Sequence, residues 1–143
     1  MEPGDHICVR RLLGPIPYMH HGIYISRTEI IHFDGAPLRD NRDSTICYTT
    51  LHKFSPGDWT GVIPYKGYFH FSYAEVIERA MSRVGEHGYN LFTWNCEHFA
   101  TWCVTDHAGS RQAAKLIAAG AGGRARAGVG GPGVARALLL GNA

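Results

Sequence analysis

The spacing of apolar residues changes once along this chain, and that change limits the fold more than any other feature. Up to about Tyr65 the apolar residues come in short, strand-length runs, whereas from Ser72 onward they recur with helical spacing. DHICVR at 5–10 alternates His6, Cys8 and Arg10 with Ile7 and Val9, the pattern of a half-buried strand, and GPIP at 14–17 breaks it. HHGIYI at 20–25 and EIIHF at 29–33 are separated only by Ser26, Arg27 and Thr28, which is a hairpin by spacing. Asp34 to Ser44, rich in Gly, Pro, Asp and Asn, reads as a loop. Short strands are expected around Thr45–Thr50 and Thr60–Tyr65, with SPGD at 55–58 turning between them.

The helices announce their own ends. In S-Y-A-E the Ser72 hydroxyl can cap a backbone amide while Glu75 reaches back, a capping box that opens a helix from about Tyr73 to Val84, with Gly85 ending it. After GEHGYN a second helix is expected from Asn95 or Cys96 to about Val104, with Cys96, Phe99, Ala100 and Cys103 on one face. A third, short helix is expected over Ser110–Ala119.

Charge divides the chain in two. Residues 1–108 carry 9 Lys+Arg against 12 Asp+Glu, while 109–143 carry 5 Lys+Arg and no acid. Of the 35 residues in that tail, 19 are Gly or Ala, so 1–108 is read as the folded domain and 109–143 as a basic, otherwise flexible appendage. The cationic tail, with Leu138, Leu139 and Leu140, is a candidate for peripheral contact with an anionic membrane. A mildly acidic body does not fit a nucleic-acid binder, whose positive charge should cover the face that meets phosphate. Cys8, Cys47, Cys96 and Cys103 lie far apart without a C-x-x-C pair, which argues against a disulfide scaffold or a zinc ribbon and for a reducing, cytoplasmic setting. No secretory leader and no run of 18 apolar residues is visible, and neither metal nor other cofactor is expected.

WNCEHFATW at 94–102 is where chemistry is expected. Cys96 opens an apolar stripe and can be a small core residue. It also falls in the first turn of a helix that Asn95 caps well, where unpaired amides and the helix dipole favour a thiolate and can hold an oxyanion. A nucleophilic thiol needs a base and the base an orienting partner. His20 and His32 stand twelve apart on the two arms of the hairpin. A three-residue loop centred on Arg27 puts His32 opposite Gly22 and on the same face as His20, whereas a two-residue loop puts them on opposite faces. His21 points to the other face and is the weaker candidate. His98 lies about 200° around the helix from Cys96 and should point away from the sulfur. A downward shift of about two units from the ordinary thiol pKa would ionise Cys96 at neutral pH.

H-H-G-I-Y-I at His20–Ile25, I-I-H-F at Ile30–Phe33 and N-C-E-H-F at Asn95–Phe99, in that order and spacing, resemble the lecithin:retinol acyltransferase family over about Gly4–Thr105. The resemblance implies an α+β domain, a circularly permuted papain-like fold akin to the NlpC-type cell-wall peptidases, with a small antiparallel sheet packed on helices and the nucleophilic cysteine at a helix N-terminus. Carried over position by position, Cys96 would be the nucleophile, His20 the general base and His32 the residue that orients it, with Tyr24 and Asn95 shaping the oxyanion pocket. The activity implied is transfer of a fatty acyl group from a phospholipid through acyl-Cys96 to an alcohol, an amine or water, without a metal. Two alternatives remain open: a cysteine peptidase or amidase of the NlpC type, and a non-catalytic interaction module that keeps the histidine box and the N-C pair.

Overall fold

Gly14 and Pro15 do not break a strand so much as turn it. β1 (His6–Leu13) and β2 (Ile16–Ser26) pair antiparallel along their whole shared length, from Leu13 opposite Ile16 to His6 opposite Ile23. Gly14 supplies the positive φ of 57° that closes so tight a turn. β2 therefore begins four residues before the histidine box in which the sequence pattern starts it. The computed structural model describes residues 1–111 except Leu38 and Asp58.

β3 (Glu29–Phe33), β4 (Ile46–Thr49) and the two-residue β5 (Gly61–Val62) complete an antiparallel sheet of order β4-β3-β2-β1-β5. The β2–β3 connection differs from expectation in an instructive way. Ser26 pairs with Glu29, so the turn holds two residues, yet Gly22 still lies opposite His32 because the register shifts between Tyr24 and Ser26. A bulge at Ile25 supplies the residue that the shorter loop removes, and His20 and His32 share a face after all.

Both faces of the sheet are covered. On one, Ile23, Ile31, Phe33 and Ile46 pack against α2 (Tyr73–Ser82) and α3 (Cys96–Thr105) through Val76, Ala80, Phe99, Ala100, Cys103 and Val104. On the other, Ile7, Val9 and Ile30 lie beneath Phe54, the last residue of α1 (Leu51–Phe54). That single turn, capped by Thr50 accepting from the Lys53 amide, falls between the strand expected at Thr45–Thr50 and the turn expected at 55–58. Its aromatic side chain also lies over His20 and His32, with ring centroids 5.3 and 6.0 Å away. Arg11 ties it down, donating to the Phe54 carbonyl at 2.9 Å. The half-buried reading of β1 is thereby corrected: His6, Ile7, Cys8 and Val9 are all buried, because β1 has neighbours on both edges and cover on both faces.

The Ser72–Glu75 capping box forms as expected, but α2 ends at Ser82, with Arg83 as its C-cap and Gly85 turning the chain at φ 91°. Arg79 of α2 lies over the rings of Trp102 and Phe71 and donates to the Trp102 and Cys103 carbonyls and to Asp106. A cation is thus set against the carbonyl end of α3, where the helix dipole favours it. Beyond residue 111, the expected third helix and the basic tail lie outside the described residues, as does Asp58 of the expected SPGD turn.

Phe54 is fully buried and covers both the Ile7–Val9–Ile30 cluster and the two histidines. Phe54→Ala is expected to cost about 3–5 kcal/mol of stability, read as the shift in a urea midpoint at constant slope. A cost below about 1 kcal/mol would mean that α1 does not act as the lid of this face.

Candidate active site

Cys96 opens α3 directly after Asn95, and the Asn95 side chain is wholly engaged in starting that helix. Its Oδ1 accepts from the Glu97 and His98 amides, and its Nδ2 donates to the Leu91 carbonyl and the Ser110 hydroxyl. His98 returns the bond, its Nδ1 accepting from the Asn95 amide at 3.2 Å, so histidine takes the place of glutamate in this capping box. Every polar atom of the Asn95 side chain is bonded to protein, so its part in the site is to hold the helix start.

The sulfur of Cys96 lies against the backbone amide of His21, the N–H of the peptide bond that joins His20 to His21, and against the amide of Glu97. The start of α3 therefore meets β2 beside the histidine box. His20 and His32 meet as expected from the register, Nε2 to Nδ1 at 2.7 Å with the rings nearly perpendicular. The other nitrogen of His20, Nδ1, is the one buried side-chain nitrogen or oxygen among the described residues with no hydrogen-bond partner. On its far side His32 continues the chain, with Nε2 3.6 Å from the sulfur of Cys47.

Beside the sulfur lies a cavity of about 330 Å³ with a mainly apolar wall that includes Ile16, Met19, Pro37 and Leu91, together with Tyr89 and Cys96. Arg10 is a further lining residue. Cys96 is 3% exposed and packs with the main hydrophobic cluster, so it is a core residue and a cavity residue at once. Tyr24 is placed elsewhere. Its side chain packs on the Ile7–Val9–Ile30–Phe54 cluster and is not part of the cavity wall, so the expectation that it shapes an oxyanion pocket is not met.

A second buried polar group escaped the sequence reading. His21 bonds His6, Nδ1 to Nε2 at 2.8 Å, and His6 Nδ1 meets the Tyr65 hydroxyl at 2.7 Å. Glu97, beside Cys96 in the first turn of α3, is buried and accepts from the Ser110 hydroxyl at 2.7 Å, with Arg111 3.9 Å away. The β1–β2 register that brings His6 diagonal to His21 would have exposed the first pair. Nothing local marks Glu97, since an acid in a first turn ordinarily faces water.

Burial sets the protonation of these groups. It pushes the Cys96 thiol up to about 12, against the opposing pull of the His21 and Glu97 amides. The same desolvation holds His20 and His6 well below the ordinary imidazole value and brings His21, His32 and His98 down to about 4. Arg11 and His32 press His20 further in that direction, while Glu97 pulls His21 and His98 back, and Asp34 does so for His32. The expectation of a thiolate at neutral pH is thus overturned: helix end and amides are present, but loss of water outweighs them. Thiol and imidazole are both neutral. Among the described residues no group of three or more His, Cys, Asp or Glu side chains is arranged to hold a metal ion.

The family model described as lecithin retinol acyltransferase matches residues 1–109. A search of curated proteins finds no match.

Five histidines held below their ordinary value make the fold acid-labile. The unfolded chain takes up these protons near pH 6.5, while the folded protein refuses them until about pH 4 or below, so stability present above pH 6.5 is lost as pH falls. Each group contributes a slope of up to about 1.4 kcal/mol per pH unit in that window. Urea midpoints should therefore drop steeply between about pH 7 and 5, and a flat profile there would show that the imidazoles are not buried neutral.

Proposed function

Because the chain belongs to the lecithin retinol acyltransferase family, whose model covers residues 1–109 of it, we propose that it moves a fatty acyl group from a phospholipid to an alcohol, an amine or water through a thioester on Cys96. The circularly permuted papain-like, NlpC-type fold is part of this reading, and the antiparallel sheet with α3 against it is consistent with it. What supports the proposal is the Cys96 sulfur on an apolar cavity wall with the His20–His21 peptide amide against it, together with a buried His20 Nδ1 that has no hydrogen-bond partner on the Phe54-covered side of β2; the reading requires that ring and sulfur meet when substrate binds.

The steps balance as follows. The acyl chain enters against Ile16, Met19 and Leu91, which brings the ester carbonyl to the sulfur. As the sulfur–carbon bond forms, the thiol proton passes to His20 Nδ1, because a thiol pushed up to about 12 is not ionised beforehand. The new imidazolium donates through Nε2 to His32 Nδ1, which holds the ring while the charge lasts. The Cys96 amide, next to those that Asn95 engages at the start of α3, stabilises the oxyanion, and the ester C–O bond breaks as His20 returns its proton to the departing lysophospholipid. Water or an acceptor, deprotonated by His20, then attacks the thioester and frees the sulfur.

A lipid substrate requires access to its bilayer. The tip of the β1–β2 hairpin bears Leu12 and Ile16, 65% and 47% exposed, beside the cavity that Ile16 and Arg10 help to line. Peripheral contact through this tip is part of the proposal. No helix of the described residues is long and apolar enough to cross a membrane.

Incubation with phosphatidylcholine vesicles should add the mass of one fatty acyl chain to Cys96, and Cys96→Ala should abolish both adduct and turnover. His20→Ala should lower turnover by about 100-fold or more, while His32→Gln, which keeps a polar partner, should retain part of the rate. Cleavage of peptide substrates alone would replace this reading by the peptidase one. Full biological activity of Cys96→Ala would replace it by a non-catalytic module.

A further inference from the structure

The proposed reaction makes a demand on His20 that reaches beyond His32. To accept the thiol proton at Nδ1, neutral His20 must carry its hydrogen on Nε2. That hydrogen faces His32 Nδ1 at 2.7 Å, so His32 Nδ1 must be the acceptor and the hydrogen of neutral His32 must sit on Nε2. The next atom along that direction is the Cys47 sulfur at 3.6 Å, within the longer reach of a hydrogen bond to sulfur. Cys47 stands opposite His32 across the β3–β4 ladder, and cross-strand partners present their side chains to the same face.

We propose that Cys47 is a positioning residue for the reaction: its sulfur accepts the His32 Nε2 hydrogen, holds His32 in the tautomer that leaves Nδ1 as acceptor, and through it keeps His20 Nδ1 without a hydrogen and able to take up a proton. This inference rests on the reading of His20 as the base. Two self-consistent arrangements of the chain exist, and only one is productive. If the Cys47 S–H donates to His32 Nε2 instead, every hydrogen shifts one place, His20 carries its proton on Nδ1, and that nitrogen is closed to the thiol. Neutral sulfur serves either way as a weak acceptor or a weak donor, so the preference it imposes is modest.

The geometry around the thiol agrees with this role. His32 is buried, and its Nε2 has the Cys47 sulfur as the hydrogen-bond partner seen. Removing that sulfur leaves a buried ring nitrogen with nothing to fix which one bears the hydrogen. Cys47 itself is only half-buried at the end of the chain, so a small replacement there does not open the core. A serine keeps an acceptor and a donor at the position, and alanine keeps neither.

Cys47→Ala and Cys47→Ser, made in the full chain, test the proposal with two readouts. The first is the nitrogen-15 spectrum of the histidine rings, which distinguishes a hydrogen on Nδ1 from one on Nε2 without any substrate. Wild type and Cys47→Ser should hold His32 as the Nε2–H form, and Cys47→Ala should show a mixture. The second is acyl release from phosphatidylcholine vesicles, in which Cys47→Ala should lose about fivefold in kcat at unchanged KM, with Cys47→Ser restoring most of it. An unchanged His32 tautomer in folded Cys47→Ala overturns the proposal, as does a KM effect without a kcat effect. If wild-type protein releases no acyl chain, the acyltransferase reading fails, and the ring spectra still decide whether Cys47 sets the tautomer.

Discussion

Water is excluded from the seam where β2 meets the start of α3, and the character of the site follows from that exclusion. β2 is the central strand of the sheet, with a strand on each edge, α2 and α3 on one face and Phe54 on the other. A strand so enclosed can carry imidazoles only if they are neutral and bonded. His20 bonds His32, His21 bonds His6, His6 bonds Tyr65, and beside them Glu97 accepts from Ser110. Against this background of satisfied partners, the unpartnered His20 Nδ1 is conspicuous.

The same exclusion sets the state in which Cys96 rests. Helix dipole and amides at the α3 start act in the direction of ionisation, but they act on a sulfur that is 3% exposed. Desolvation wins, and the resting pair is thiol and imidazole rather than thiolate and imidazolium. In the proposed reaction, attack by Cys96 is then accompanied by the transfer of its proton, since the sulfur does not rest as an ion.

Much of this was legible in the sequence, for reasons that differ residue by residue. The α+β order, the Ser72–Glu75 box and the Asn95 cap follow from local signals that tertiary packing left alone. The pairing of His20 with His32 was read correctly from a loop of the wrong length, because the Ile25 bulge restored the register that a two-residue turn would have lost. A bulge of this kind leaves no residue signature here, and α1 is a single turn too short for periodicity to register. The buried Glu97 needed a serine thirteen residues on, and the His21–His6–Tyr65 chain needed two strands and a loop brought together. The direction of the Cys96 shift was misread because sequence displays the helix start but not the dryness of its surroundings.

Direct titration of the Cys96 sulfur tests the neutral-pair account most sharply. The ultraviolet absorbance of thiolate is followed with pH from neutral upward in the wild-type protein and in Cys96→Ser, and the difference between the two isolates this one group. The account requires no thiolate signal from Cys96 until well above the ordinary thiol range, in keeping with a group pushed up to about 12. A difference signal already present at neutral pH would contradict it, since the sulfur would then rest as an ion and the dry seam between β2 and α3 would not govern its chemistry.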